Sequence, residues 1–75
     1  MIITYTLNER GDYMKFKDIR NETYFEIVEL EGCYKTDHDK REVKAYRRLN
    51  SGRMIYDGVV RGLYQSLEVG RWRIK

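Results

Sequence analysis

The sequence predicts an α+β domain, in which an antiparallel sheet of about four to five strands packs with one basic amphipathic helix near residues 39–50. Residues 2–7 and 13–19 alternate apolar and polar side chains, which is the period of a half-buried strand. Residues 39–50 instead consist mainly of good helix formers. A small all-β barrel is the alternative fold. Neither proline nor a low-complexity tract divides residues 1–75, so we expect a single domain.

The first half of the chain is predicted to form strands. Ile3, Tyr5 and Leu7 lie on one side of residues 2–7, and turn-forming residues separate them from residues 13–19, so these two segments predict a hairpin. Residues 23–31 are rich in β-branched and aromatic side chains and are expected to add a third strand. A helix capped by Asn21 competes with that third strand.

The helix predicted at residues 39–50 has start and stop signals. Asp39 can cap it, with Glu42 three positions later, and residues 50–52, Asn-Ser-Gly, can end it. On a helical wheel five bases share one face, and they are Lys40, Arg41, Lys44, Arg47 and Arg48. The competing assignment makes 42–49 a strand that turns at 50–52 into 53–57, although it aligns Arg47 with the apolar Val43 and Ala45.

The remaining chain gives weaker signals. Asp57-Gly58 is a strong tight-turn pair, which predicts a second hairpin between residues 54–56 and 59–60. Residues 63–69 alternate as a strand does, but the segment 57–69 also fits a helix beginning at Asp57. Trp72 and Ile74 indicate a short last strand.

The compartment follows from the cysteine count and the N-terminal segment. Cys33 is the single cysteine, so no disulfide can form within the chain, which favours a reducing compartment. The first residues do not have the pattern of a signal peptide, and no apolar run approaches the length of a membrane span. We therefore expect a cytoplasmic protein without a membrane partner.

The sequence indicates no catalytic or metal site. His38 is the single histidine, and zinc sites are recognised by closely spaced cysteine or histidine pairs, which Cys33 and His38 do not provide. Glu29 and Glu31 can share one strand face, but two exposed glutamates are far commoner than a catalytic pair. No phosphate-binding loop or serine-nucleophile motif occurs. We expect a protein that is not an enzyme and needs no cofactor.

Charge is the strongest functional signal, because it is divided by position. Residues 1–39 contain nine acids and five bases, whereas residues 40–75 contain ten bases and three acids. Such a block of one sign attracts oppositely charged partners. Arginine can form two hydrogen bonds to one phosphate and can stack on bases. Aromatic residues, which can also stack on bases, are interleaved with the arginines of this half. This favours binding of RNA or single-stranded DNA through Lys40, Arg41, Lys44, Arg47, Arg48, Arg53, Arg61, Arg71 and Arg73, with stacking on Tyr56, Tyr64 and Trp72.

A protein partner is the alternative. The chain can instead act as an inhibitor or regulator that docks on an acidic protein surface, as a small phage or mobile-element protein does when it blocks a host factor. A third alternative is a homo-oligomer, in which the acidic half of one copy associates with the basic half of another.

Overall fold

A computed structural model of the protein describes residues 14–75. A three-stranded antiparallel sheet of order β1-β2-β3 is formed by β1 (Cys33–Asp37), β2 (Glu42–Arg48) and β3 (Met54–Val59), and one short helix follows, α1 (Leu63–Glu68). The predicted α+β layout is confirmed. Among the described residues the strands are fewer than predicted, and the sheet is open, so the alternative closed barrel is not formed.

The helix predicted at residues 39–50 is wrong, because most of this segment is the central strand β2. Val43 is fully buried there, and β2 pairs with β1 on one side and β3 on the other. Helix propensities differ by only a few tenths of a kcal/mol per residue, about 0 to 0.7, so strand pairing and burial override them. The predicted helix start is instead a turn, in which the Asp37 carboxylate accepts hydrogen bonds from the backbone N–H groups of Asp39 and Lys40.

The alignment of Arg47 with apolar residues does not exclude the strand. Val43 is buried and Ala45 is half-buried, but Arg47 near the end of β2 is exposed. The strand therefore extends past the core, and its last residues need not be apolar.

The second predicted hairpin has its turn in a different place. The chain reverses at residues 49–53, where Leu49 N–H donates to the Arg53 carbonyl and Gly52 N–H donates to the Leu49 carbonyl. Asp57 and Gly58 lie inside β3 at a β-bulge: Ala45 pairs with Gly58 and Tyr46 with Tyr56, which leaves Asp57 as the extra residue. Gly58 has φ 108°, a value that favours glycine at this bulge.

Residues 14–31 form less sheet than predicted. Phe16–Asp18 is a 3₁₀ turn rather than part of a strand. The third strand predicted at 23–31 is reduced to two isolated bridges, of Phe25 with Tyr34 and of Ile27 with Ile74, and no helix forms there. The strand predicted at 2–7 and its turn lie outside the described residues.

Of the two structures considered for residues 63–69, the helix forms and the alternating strand does not. Helix α1 occupies Leu63–Glu68 and begins later than the Asp57 start considered from the sequence. The predicted last strand is a single bridge at Ile74, supported by hydrogen bonds from Val28 N–H to the Arg73 carbonyl and from Lys75 N–H to the Glu26 carbonyl.

The core lies on one face of the sheet. Tyr34, Thr36 and Val43 on β1 and β2 are buried, and α1 contacts β2 and the 3₁₀ turn. The buried apolar residues are Phe16, Ile19, Phe25, Ile27, Tyr34, Val43, Leu63, Tyr64, Leu67 and Ile74. Because strand side chains alternate between faces, the residues between these point to the opposite side, here called the open face.

Candidate functional site

The strand register determines which side chains share the open face. Lys35 is directly opposite Lys44 on the neighbouring strand, and Tyr46 is directly opposite Tyr56. Residues paired across an antiparallel ladder lie on the same side of the sheet. Tyr24 joins them from the segment beside β1, where its neighbour Phe25 pairs with Tyr34 on the core side.

Three tyrosines on the open face form a continuous row, here called the tyrosine row: Tyr24, Tyr46 and Tyr56. The ring centroids of Tyr24 and Tyr46 are 5.2 Å apart with planes at 88°, and those of Tyr46 and Tyr56 are 5.5 Å apart with planes at 53°. Tyr24 is 44% exposed and Tyr56 is 54% exposed, whereas Tyr46 is half-buried. The two outer rings therefore present aromatic surface to solvent.

Two lysines lie beside the tyrosine row and are here called the lysine pair: Lys35 and Lys44. The Lys35 Nζ atom lies 4.4 Å from the Tyr24 ring centroid and 5.3 Å from that of Tyr46, within the range of a cation–π contact. Within residues 14–75, neither lysine forms an ion pair with an acid. Like charges directly opposite each other in a sheet repel, so the lysine pair favours an anion between them.

Charge changes sign along the open face. Asp37 and Glu42 pair at the end next to the β1–β2 turn, the lysine pair follows, and Arg48 pairs with Met54 at the far end. The Asp37 carboxylate is already occupied by two backbone N–H groups. The attraction for anions is therefore centred on the lysines and Arg48, next to the exposed rings.

The five bases predicted to share one helix face are separated. Lys44 and Arg48 lie on the open face, and Arg47 pairs with Ile55 on the other side of β2. Lys40 and Arg41 lie in the β1–β2 turn, where the Arg41 guanidinium forms two hydrogen bonds of 3.0 and 2.7 Å to the Glu68 carboxylate. That ion pair links the turn to α1, so Arg41 is already engaged within the protein.

The other predicted bases lie outside the sheet. Arg53 belongs to the turn before β3, Arg61 precedes α1 and Arg71 follows it, and all three are exposed. Arg73 binds Glu29, with 2.6 Å between Nε and the carboxylate and 3.0 Å from the Arg73 backbone nitrogen to the same group. The backbone N–H of Arg73, together with its guanidinium, holds the pKa of Glu29 below its usual range.

Of the predicted stacking residues, the structure places Tyr56 alone on the open face. Tyr64 is buried in the core, and Trp72 is half-buried and packs against it. The sequence prediction did not include Tyr24, Tyr46 or Lys35. The competing strand assignment for residues 42–49 predicts part of this surface, because it places Lys44, Tyr46 and Arg48 on one side of a strand.

His38 connects three parts of the fold. Its Nε2 lies 2.6 Å from the Ile19 carbonyl oxygen, and because a carbonyl only accepts, Nε2 carries the proton. In the neutral ring Nδ1 then accepts a hydrogen bond from the Tyr64 hydroxyl at 2.7 Å. The backbone N–H of His38 donates to the Asn21 side chain. These bonds tie the β1–β2 turn to α1 and to the segment before β1.

Residues 14–75 contain neither a metal-ligand cluster nor a membrane-spanning helix. No group of three or more histidine, cysteine or acidic side chains in this part of the chain is arranged to hold a metal ion. The helices described there are too short or too polar to cross a membrane. Compared with models of protein families, with curated proteins and with solved structures, the chain matches none.

Proposed function

We propose that the protein is a small non-enzymatic module that binds single-stranded nucleic acid, RNA or DNA, on the open face of its sheet. The observation that carries this proposal is the tyrosine row with the lysine pair beside it. It replaces the basic helix face expected from the sequence with a sheet face that combines exposed rings and cations.

The two parts of this surface suit the two parts of a single strand. Unpaired bases stack on aromatic rings, and each such contact contributes about 1–3 kcal/mol with little dependence on base identity. Lys35, Lys44 and Arg48 neutralise backbone phosphates and release counterions. In a duplex the bases are already stacked on one another, so the exposed rings of Tyr24 and Tyr56 favour single strands.

The second class of partner uses the surface differently. An inhibitor or regulator that docks on an acidic protein needs the lysine pair and Arg48, and aromatic residues are common at protein interfaces as well. Docking through charge alone does not need the exposed outer rings of Tyr24 and Tyr56. Nucleic acid accounts for both the charges and the exposed rings, and the acidic protein is an outcome that the following experiment distinguishes.

The test is a titration of the protein with single-stranded RNA, single-stranded DNA and duplex of equal length at several salt concentrations, followed by fluorescence anisotropy. We expect single strands to bind more tightly than duplex, with log affinity falling linearly with log salt. The double variant Lys35→Gln/Lys44→Gln should bind more weakly, and its salt slope should be shallower by roughly 0.7 for each lysine that contacts a phosphate.

The matched control is Arg61→Gln/Arg71→Gln, which removes the same charge outside the sheet. We expect this control to keep the salt slope of the unaltered protein. If the two double variants lose affinity equally, binding depends on net charge alone and not on the lysine pair. The proposal is wrong if single strands do not bind at low salt, and a specific protein retained from a nuclease-treated extract would then favour the inhibitor.

A further inference from the structure

We infer that the binding unit of the open face is two adjacent bases, one on Tyr24 and one on Tyr56, with the phosphate that joins them held by the lysine pair. This inference rests on the proposed function and specifies its ligand. It follows from the different positions of the three rings, from the position of the Lys35 ammonium group and from the register that places Lys44 opposite Lys35.

Tyr46 separates the two stacking positions. Its ring is in contact with Tyr24 on one side and with Tyr56 on the other, and it is less exposed than either. A half-buried ring that contacts a ring on each side offers a base less free surface than either outer ring. Tyr46 therefore positions the outer rings, and the row offers two stacking places rather than three.

The lysine pair lies where the linking phosphate must pass. Lys35 Nζ lies 4.4 Å from the Tyr24 ring centroid and 5.3 Å from that of Tyr46, which puts the ammonium beside both of these rings. Lys44 on β2 is directly opposite Lys35 on β1. Val59 on β3 is directly opposite Lys44 on its other side. A phosphate there meets two cations that lack an acidic partner among the described residues.

The two stacking places are not equivalent in the free protein. Lys35 covers part of the Tyr24 ring, whereas no cation lies over the ring of Tyr56 within residues 14–75. A charge-assisted bond to phosphate is stronger than an exposed cation–π contact, so an arriving phosphate draws Lys35 from the ring. Stacking on Tyr24 is therefore coupled to phosphate binding, and stacking on Tyr56 is not.

The experiment is an NMR titration, at physiological and at low salt concentration, with four ligands: the methyl phosphodiester of adenosine as the mononucleotide, which has the same phosphate charge as ApA, the dinucleoside monophosphate ApA, and tetra- and hexa-adenylate. ApA carries two bases and one linking phosphate, which is the inferred unit. We expect ApA to shift the ring resonances of both Tyr24 and Tyr56 in one saturable process. Its affinity should exceed that of the mononucleotide by about 5- to 150-fold, the value of one further stacked base. The gain from ApA to tetra-adenylate should be smaller.

Variants test each ring. Tyr24→Leu and Tyr56→Leu should each reduce the affinity for ApA to that for the mononucleotide, and Tyr24→Phe and Tyr56→Phe should retain it. Tyr46→Phe should leave both ring shifts unchanged, whereas Tyr46→Val should weaken ApA more than the mononucleotide, because it removes the spacer and leaves a strand former. The amide spectrum of each variant establishes that it is folded.

The outcomes separate the inference from the proposed function. If hexa-adenylate does not bind even at low salt, the proposed function is wrong. If hexa-adenylate binds but ApA binds no better than the mononucleotide, or shifts the resonances of one outer ring alone, the two-base unit is wrong and the function stands.

Discussion

At the scale of single residues, His38 connects distant parts of the fold through contacts that its neighbours in the sequence do not indicate. The segment Asp37-His38-Asp39 has the composition of a solvated loop, yet the His38 ring packs against Phe16 with centroids 5.2 Å apart. Its two nitrogens satisfy the Ile19 carbonyl and the Tyr64 hydroxyl. Both partners are distant in sequence, so no local pattern reveals the contact.

We predict that His38→Ala lowers the free energy of unfolding by about 1–3 kcal/mol, the cost of leaving buried polar groups without partners. Urea denaturation at neutral pH measures the change. The control is Asp39→Ala, an exposed neighbour for which we expect a change within about 0.5 kcal/mol. A loss for His38→Ala no larger than that of the control would contradict the structural role of the ring.

The Glu29–Arg73 contact predicts a pH dependence. The pKa of Glu29 is lowered from 4.5, chiefly by the Arg73 backbone N–H. Between the folded and unfolded pKa values the unfolded chain binds more protons. The stabilisation from Glu29 is therefore present above the unfolded pKa and is lost as pH falls through the lower folded pKa.

We therefore expect the stability difference between the unaltered protein and Glu29→Gln to shrink as acid denaturation profiles are followed below that unfolded value. Glu31→Gln makes the same change of charge two residues away, where no ion pair is formed among the described residues. A difference that stays constant down to the lowest pH, or one shared by Glu31→Gln, would show that the Arg73 contact is not its cause.

At the scale of elements, the sequence predicts the layout and misassigns several pieces. An antiparallel sheet is correctly expected, although Phe16–Asp18 forms a 3₁₀ turn and residues 23–31 form isolated bridges instead of its strands. Of the candidate residues, Lys44, Arg48 and Tyr56 lie on the open face, where Lys44 is half-buried and the other two are exposed. The segment 39–50 is misassigned because its helix formers are local signals, whereas the burial of Val43 and the pairing with both neighbours arise only in the folded sheet. Tyr24 and Lys35 are brought to Tyr46 by the same long-range pairing.

The bulge in β3 is the element-scale feature that aligns Tyr56 with Tyr46. In an unbroken register continued from Ala45 and Gly58, Tyr46 would pair with Asp57, and Tyr56 would turn to the other face. Gly58 has φ 108°, and a Cβ added there meets no atom within 4 Å. Glycine is therefore favoured at this position by the backbone conformation and not by a lack of space for a side chain.

We predict that Gly58→Ala costs about 1–2 kcal/mol of unfolding free energy, because an L side chain disfavours this conformation. Chemical denaturation measures the cost, and exposed Ser51→Ala is the control. The contact between the rings of Tyr46 and Tyr56 should also weaken, which NOE intensities between the rings report. If Gly58→Ala changes neither the free energy of unfolding nor the contacts between the two rings, the bulge does not depend on glycine.

At the scale of the whole molecule, the proposed binding opposes stability on the open face. The core occupies one side of a thin sheet, and the other side carries exposed rings and two like charges directly opposite each other. Like-charged cross-strand pairs are unfavourable, whereas opposite or neutral pairs contribute roughly 0.2–1 kcal/mol. Stability alone does not account for this arrangement, whereas the proposed phosphate between the lysines would turn the repulsion into attraction.

We predict that Lys44→Gln raises the free energy of unfolding by roughly 0.2–1 kcal/mol, because it removes the repulsion from Lys35, and that the same variant binds single-stranded nucleic acid less tightly. Urea denaturation and anisotropy on one preparation measure the two effects together. Lys40→Gln makes the same change of net charge in the β1–β2 turn and should alter stability little. The repulsion in the free protein and the proposed attraction for phosphate both come from the two lysine charges. The prediction is therefore contradicted if Lys44→Gln lowers the stability, or if it raises the stability and leaves the affinity for nucleic acid unchanged.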